Sequence, residues 1–325
     1  MELDLKKISL PIRDELDEFR KEFRLAMKSR VALVDLISKY LVSQKGKKIR
    51  PILVLLSAKL CGDINKRTYI GATLVEMLHT ATLIHDDVVD DAKTRRGFPS
   101  INSVWKNKIA VLMGDYLLSR GLLHALENNE YDFLQITSRA VKRMSEGELL
   151  QIQKNRKHAV NEETYFKIIS DKTASLITAC CEIGAASTSG NPENVSSLSL
   201  FGENIGIAFQ LRDDVLDYVG KKKIMGKSSG ADLKEKKFTL PLIHALNNSS
   251  KSESKEIINL VKNGSYSKSK NIVFDFIKAH NGIDYTVEKT RQFCGAAKLN
   301  ISDFKTSEVK DTLMNFADFI GERSI

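Results

Sequence analysis

The feature that most constrains the fold is a long apolar helical run that ends in carboxylates, and it occurs twice. Residues 69–84 are apolar on nearly every turn and contain no proline, and no glycine after Gly71, so they predict a buried helix. That helix runs into Leu83-Ile84-His85-Asp86-Asp87-Val88-Val89-Asp90-Asp91, followed by Arg95-Arg96-Gly97. Residues four apart share a helix face, so Asp86 and Asp90 point one way while Asp87 lies roughly 100° round. A second apolar run, 201–211, leads through Gln210 and Arg212 into Asp213-Asp214-Val215-Leu216-Asp217. A single motif of this kind is ordinarily a solvated helix end. Two copies, each leaving a buried helix and each followed by basic residues, fit facing walls of a cavity better. Their six carboxylates would carry a charge of minus six, which three divalent cations neutralise. Oxygen-only donors at this spacing suit a hard ion such as magnesium, which keeps waters and takes further oxygens from phosphate. A diphosphate bridging such ions would be held and activated by Lewis-acid chemistry.

The rest of the chain supports an all-α fold. It has 325 residues and five prolines, helical periodicity almost throughout, and no alternating strand-like segments bounded by turn signals. No composition shift marks a boundary, so residues 1–325 read as a single-domain helical bundle. Helices over 1–45 are expected to pack on the body or on a second subunit, with a catalytic core over about 46–245 and further helices over 250–325. The first ten residues lack an apolar core of the signal-peptide kind, and no run reaches eighteen uncharged apolar residues, so a cytoplasmic protein without a membrane span is expected. Cys61, Cys180, Cys181 and Cys294 show neither CxxC nor zinc spacing and read as reduced buried thiols. The net charge of +9 admits nucleic acid, anionic surfaces or phosphorylated substrates. Without a nucleic-acid motif or basic-aromatic interleaving, no nucleic-acid partner is expected.

Several cations sit where an anion would bind. Gly46-Lys47-Lys48-Ile49-Arg50-Pro51 feeds a helix start, where free N–H groups and the dipole favour negative charge. Lys172, in Asp171-Lys172-Thr173, lies within an otherwise apolar helix predicted over 162–186 and is costly to bury unpaired, so it should face an anion. The small residues after it, from Ala174 to Ala186, allow close helix packing or leave room for an apolar ligand. Packing is the ordinary reason.

Together these residues resemble the trans-isoprenyl diphosphate synthase, or polyprenyl synthetase, family. The resemblance covers roughly residues 40–245 and rests on both Asp motifs, on Gly-Lys-Lys-Ile-Arg-Pro before the first, Arg-Arg-Gly after it, and Gly-Lys-x-x-Gly-x-Asp-Leu after the second. It implies an isoprenoid-synthase bundle with a central apolar cavity. Asp86, Asp87, Asp90, Asp213, Asp214 and Asp217 would hold magnesium on the diphosphate of an allylic substrate. Arg95, Lys172, Thr173, Gln210, Lys227 and Lys237 would hold the same diphosphate. Isopentenyl diphosphate would lie at Lys47, Arg50, His79 and Arg96. A lone His on an apolar helix is usually a satisfied core residue, but His79 stands two turns before the Asp motif, in the family's position. A homodimer is also implied, with helices over 114–126 and 131–154 at the interface, and with transient membrane contact for product release.

Product length in such a bundle is set by how far the tail descends before meeting bulk. Ala81 and Thr82, with Leu78 below, lie one to two turns before Asp86, and an isoprene unit occupies about 5 Å. The shaft therefore reads as open, and the wording Thr-Ala-Thr-Leu-Ile-His-Asp-Asp resembles long-chain members. An all-trans product of about C30–C40, of the kind used for quinone side chains, is expected from a farnesyl or geranylgeranyl primer. Shorter-chain geranylgeranyl or farnesyl diphosphate synthesis, terpene cyclisation or head-to-head condensation, and a non-catalytic role in a heteromeric synthase are the alternatives. The intact Asp motifs count against the last, and the isopentenyl-side cations against cyclisation. Lys48, Asp91 and Lys236 depart from the common pattern without removing a required charge.

Overall fold

A computed structural model describes residues 5–44, 46, 48–95, 97–157, 161–219, 230–264 and 266–321. Lys47, Arg96 and Lys227 lie outside the described residues, as does most of the loop after the second Asp motif. The chain runs through α1 (Leu5–Ser9), a 3-10 turn (Leu10–Ile12), α2 (Arg13–Ala26), α3 (Ala32–Ser43), α4 (Ile49–Cys61) and α5 (Lys66–Val89). A short antiparallel hairpin, β1 (Thr94–Arg95) and β2 (Phe98–Pro99), precedes α6 (Ile101–Glu127) and α7 (Tyr131–Lys157). Then come α8 (Glu162–Ile169), a π-helical turn (Ser170–Ala174), α9 (Ser175–Thr188) and α10 (Pro192–Val219). The remainder is α11 (Ala231–Lys234), α12 (Leu240–Asn247), α13 (Lys251–Asn263), α14 (Tyr266–Ala279), α15 (Gly282–Asn300) and α16 (Glu308–Gly321).

The all-α expectation is met, with a few departures. The N-terminal helix breaks at Pro11, which lacks an N–H and crowds the carbonyl four residues back. The helix expected over 162–186 is divided by the π-turn that carries Lys172 and Thr173. After the first Asp motif the chain forms the β1–β2 hairpin before entering α6 at Ile101, the one strand pair among the described residues. Lys106, at φ 73°, kinks α6 near that start.

α5 is the central helix. Asn65 caps it by accepting from Arg67 N and Thr68 N, while Thr68 Oγ1 accepts from Asn65 N at 3.3 Å. Its buried residues include Leu74, Val75, Met77, Leu78, Ala81 and Ile84. The small residues of α9 serve packing. A Cβ added at Gly184 would lie 2.3 Å from Val54 O of α4, so the two helices meet backbone to backbone. α6 is, among the described residues, the one helix long and apolar enough to cross a membrane. It packs along α5 with Gly114 against His85 and Gly121 against Leu74 and Met77, as a bundle helix does. A main apolar core spans α2 to α10 with α15 and α16. A second cluster joins α8, α10 and α12–α14, and Phe293 of α15 packs against both.

Candidate active site

The first Asp motif ends α5. Asp87 is buried, while Asp86 and Asp90 remain open to solvent, as the helical spacing requires. Asp87 Oδ1 accepts from Arg95 Nε at 2.7 Å, and its backbone carbonyl accepts from Asn102 Nδ2 at 3.1 Å. Burial raises the Asp87 carboxyl above its ordinary value, with Arg95 opposing. Asp86 is raised as well: the surrounding protein desolvates it, Lys172 pulls the other way, and Glu148 and Asp90 add to the rise.

The second motif ends α10. Asp214 is buried and accepts from Tyr165 Oη at 2.5 Å and from Gln210 Nε2 at 2.8 Å. Desolvation pushes its carboxyl up to about 8, helped by the negative field of Asp232 and Asp213, despite both hydrogen bonds. Asp213 is half-buried beside it. The Asp217 carboxylate accepts from the backbone N–H groups of Gly230, Ala231 and Asp232 at 3.0–3.1 Å.

The π-turn is hydrogen-bonded to the second motif through Gln210. Thr173 Oγ1 donates to Gln210 Oε1 at 2.9 Å, and the same amide holds Asp214. The adjacent Lys172 acts electrostatically on Asp86. Lys172 does face an anion: its Nζ lies 2.5 Å from Glu148 Oε2 and donates to Gln151 Oε1 at 2.8 Å, so α7 holds it. Lys237 pairs with Glu235 and lies in the field of Asp90 of the first motif. Burial disfavours its charge, but Glu235, 2.5 Å away, and the fields of Asp232 and Asp90 leave its pKa raised.

A separate cleft adjoins the first motif and is lined by Lys48, Glu76, His79, Asp87 and Arg95 among others. Arg50 Nη1 lies 2.9 Å from His79 Nε2. A guanidinium only donates, so Nε2 accepts and Nδ1 carries the ring proton. Lys48, in a left-handed conformation at φ 48°, caps α4 and reaches over the Phe23 ring. Of the isopentenyl-side residues expected from sequence, the described pair, Arg50 and His79, therefore meet. Of the residues expected from sequence to set product length, Leu78 and Ala81 are buried, and Thr82 is half-buried with its hydroxyl donating to His79 O at 2.9 Å.

The donor set fits a hard divalent ion. Among the described residues no three metal-ligating side chains form a ready-made cage, so an ion would take one or two carboxylates from a motif and its other oxygens from water and phosphate. Sequence reasoning gave no role to Tyr165, which stands two turns before Lys172 on α8. The signal was slight: a buried tyrosine needs a hydrogen-bond partner, but sequence does not say which.

Comparison with known proteins agrees with this geometry. The family model described as "Polyprenyl synthetase" matches residues 31–276. The chain is 35% identical to the all-trans-nonaprenyl-diphosphate synthase (geranyl-diphosphate specific) of Rhodobacter capsulatus, over 97% of each chain. It is 32% identical to heptaprenyl diphosphate synthase component 2 of Bacillus subtilis (strain 168), over 96% of this chain and 89% of that one. The crystal structure of a polyprenyl synthase from Caulobacter crescentus CB15, complexed with calcium and isoprenyl diphosphate, superposes with a TM-score of 0.90 at 30% identity, covering 99% of this chain and 98% of that one. With two acidic helix ends, a π-turn hydrogen-bonded to the second of them, a family model over residues 31–276 and relatives matching nearly its whole length, this chain belongs to the polyprenyl synthetase family.

Proposed function

We propose that the chain, as one polyprenyl synthetase domain over residues 1–325, is a trans-prenyltransferase that condenses isopentenyl diphosphate with an allylic diphosphate. The cycle repeats to a long-chain all-trans polyprenyl diphosphate of about C30–C40. The observation that carries this reading is the Thr173–Gln210–Asp214 hydrogen-bonded chain. It ties the second acidic motif to the turn bearing Lys172, whose charge acts on Asp86 of the first.

Magnesium, about three ions per site, would supply Lewis-acid neutralisation of the allylic diphosphate when held by Asp86, Asp87, Asp90, Asp213, Asp214 and Asp217. Lys172, Arg95 and Lys237, with Lys227, hold the diphosphate as its allylic carbon–oxygen bond breaks and the electron pair leaves with oxygen. The Lys172 and Thr173 backbone carbonyls, with the Gln210 side chain, stabilise the passing cation. Arg50 and His79, with Lys47 and Arg96, hold isopentenyl diphosphate so that its double bond attacks that cation. The attack leaves a tertiary cation; the carbon between it and the diphosphate-bearing carbon then gives up a proton to the released diphosphate, and the electron pair of that C–H bond forms the double bond of the new allylic diphosphate. The growing tail descends past Thr82, Ala81 and Leu78.

We further propose a cytoplasmic homodimer. Apolar residues stay exposed on α6 (Val111, Leu112, Leu123) and α7 (Leu149, Ile152), the two long helices expected at the interface. Transient contact with a membrane surface would accompany release of so apolar a product. Similarity to a relative named component 2 favours one second reading, a subunit that needs a partner protein.

One incubation tests these readings: the purified chain with labelled isopentenyl diphosphate, magnesium, and geranyl, farnesyl or geranylgeranyl diphosphate, with products resolved by chain length. Elongation by the chain alone supports the proposal. Elongation only after a second protein is added supports the component reading, and no incorporation under either condition removes prenyl transfer.

A further inference from the structure

The helix bearing Lys172 and Thr173 changes its winding where it reaches the site, and two neighbouring helices grip it there. A π-turn is rare and occurs mostly as a single turn within a helix, frequently at a functional site. From α7, Arg143 Nε donates to Asp171 Oδ1 at 2.9 Å and its Nη2 to Ser170 Oγ at 2.7 Å. The same guanidinium reaches Glu203 of α10, with Nη1 on Oε2 at 3.1 Å and Nη2 on Oε1 at 2.8 Å. Ser170 Oγ donates to Glu203 as well, Thr178 Oγ1 donates to Glu203 Oε2 at 2.7 Å, and Lys167 Nζ donates to Asp171 Oδ2 at 2.9 Å.

Both gripping helices use one layout. Along α7, Arg143 is followed one turn on by Gly147, where a Cβ would lie 2.8 Å from Lys172 N, and one turn later by Gln151, which accepts from Lys172 Nζ. Along α10, Glu203 is followed by Gly206, where a Cβ would lie 2.5 Å from Ala174 Cα, and then by Gln210, which accepts from Thr173. Each helix thus presents an anchor, a close approach and an amide to the same turn. The anchors are ionised. Glu203 raises the Arg143 pKa, and although burial opposes it, Arg143 together with Lys167 lowers Asp171 and together with Ser170 and Thr178 lowers Glu203.

We propose that Arg143, with Glu203 as its partner, is a positioning residue for prenyl transfer: it fixes the π-turn so that Lys172 and Thr173 meet the allylic diphosphate together. This rests on the assignment of Lys172 and Thr173 to that diphosphate. One guanidinium bridges three side chains on two elements through a planar fork, a geometry that an ammonium cannot reproduce.

A double-mutant cycle on the full chain tests it, with farnesyl and isopentenyl diphosphates as substrates and thermal unfolding recorded for every variant. Arg143→Gln should lower kcat about tenfold or more, with KM for isopentenyl diphosphate held within about twofold, and Arg143→Lys should recover part of the loss. In a Lys172→Gln background the same substitution should lower kcat by less than about threefold, because the group it positions is already gone. Equal factors in both backgrounds, or a lowered Tm with kcat per folded molecule unchanged, would overturn the proposal. If Arg143→Gln does not fold, Glu203→Gln in the same cycle decides by the same criteria. If Lys172→Gln alone leaves kcat unchanged while the chain still elongates, the assignment of Lys172 to the diphosphate is what fails, and the positioning role falls with it.

Discussion

Tyr165 donates its phenolic hydrogen to Asp214 Oδ2 at 2.5 Å, with both side chains closed off from solvent. One oxygen of the most deeply set carboxylate in the second acidic motif is therefore directed from α8, while Gln210 holds the other. Buried carboxylates keep a fixed orientation only when such partners supply it, and the same partners oppose the desolvation that favours the neutral acid.

Replacing that tyrosine should affect both stability and metal binding. Tyr165→Phe leaves a buried acceptor short of a donor, so unfolding free energy should fall by about 1–3 kcal/mol in urea titrations. Calorimetric affinity for magnesium should fall with it, because Asp214 loses one of the hydrogen bonds that favour its charged form. Unchanged affinity in the variant would separate Tyr165 from the carboxylate's function.

The raised carboxyl of Asp214 gives a signed pH dependence. Its ordinary value is 3.8 and its folded value is about 8, so between these the folded chain holds a proton that the unfolded chain releases. Rising pH then favours unfolding, and this contribution to stability, complete below about 4, is lost as pH passes through about 8. In metal-free protein, the stability of wild type relative to Asp214→Asn should fall from pH 5 to pH 8. A difference that stays flat across that range would contradict the buried, protonated state.

On the isopentenyl side, Arg50 and His79 touch at 2.9 Å and should act as a unit. Arg50→Ala and His79→Ala should each raise KM for isopentenyl diphosphate about tenfold, with KM for the allylic substrate much less affected. The double variant should lose less than the product of the two single effects, as steady-state kinetics on all three would register.

Chain length offers a separate readout. Ala81 is buried on α5, one turn below Asp86. Ala81→Phe or Ala81→Tyr should shorten the product seen by chromatography and cost about 1–3 kcal/mol through overpacking. An unchanged product would remove Ala81 as a wall of the shaft.

The closest approach of α4 and α9 predicts a purely structural effect. Gly184→Ala must push its new methyl group against Val54 O and Ser57 Cβ, 2.3 and 2.8 Å away. Backbone cannot yield as a side chain does, so stability should fall by about 1–3 kcal/mol in thermal unfolding, with the Asp motifs untouched.

Part of the candidate site is legible in the sequence because its spacing is local. Asp86, Asp87 and Asp90 separate into buried and open positions as a 3.6-residue period requires, and His79 falls on the same helix two turns earlier. The need of Lys172 for an anionic neighbour followed from the cost of burying a lone charge. That the neighbour is Glu148 did not follow, because nothing along the chain relates α7 to the π-turn. The change of winding at Ser170–Ala174 was equally hidden, since its residues are compatible with an ordinary helix and it is neighbours on α7 and α10 that contact this turn.

Sequence alone determined that this chain forms buried helices ending in paired carboxylates, and that cations stand near each end, because helix period, charge and apolar patterning are properties of neighbouring residues. Tertiary structure alone decided which partners those charges meet: Arg95 on Asp87, Tyr165 on Asp214, three backbone N–H groups on Asp217, and Arg143 between Asp171 and Glu203. The strength of each interaction depends on distances of a few ångströms and on exclusion of water, and only the folded arrangement of the chain sets either one.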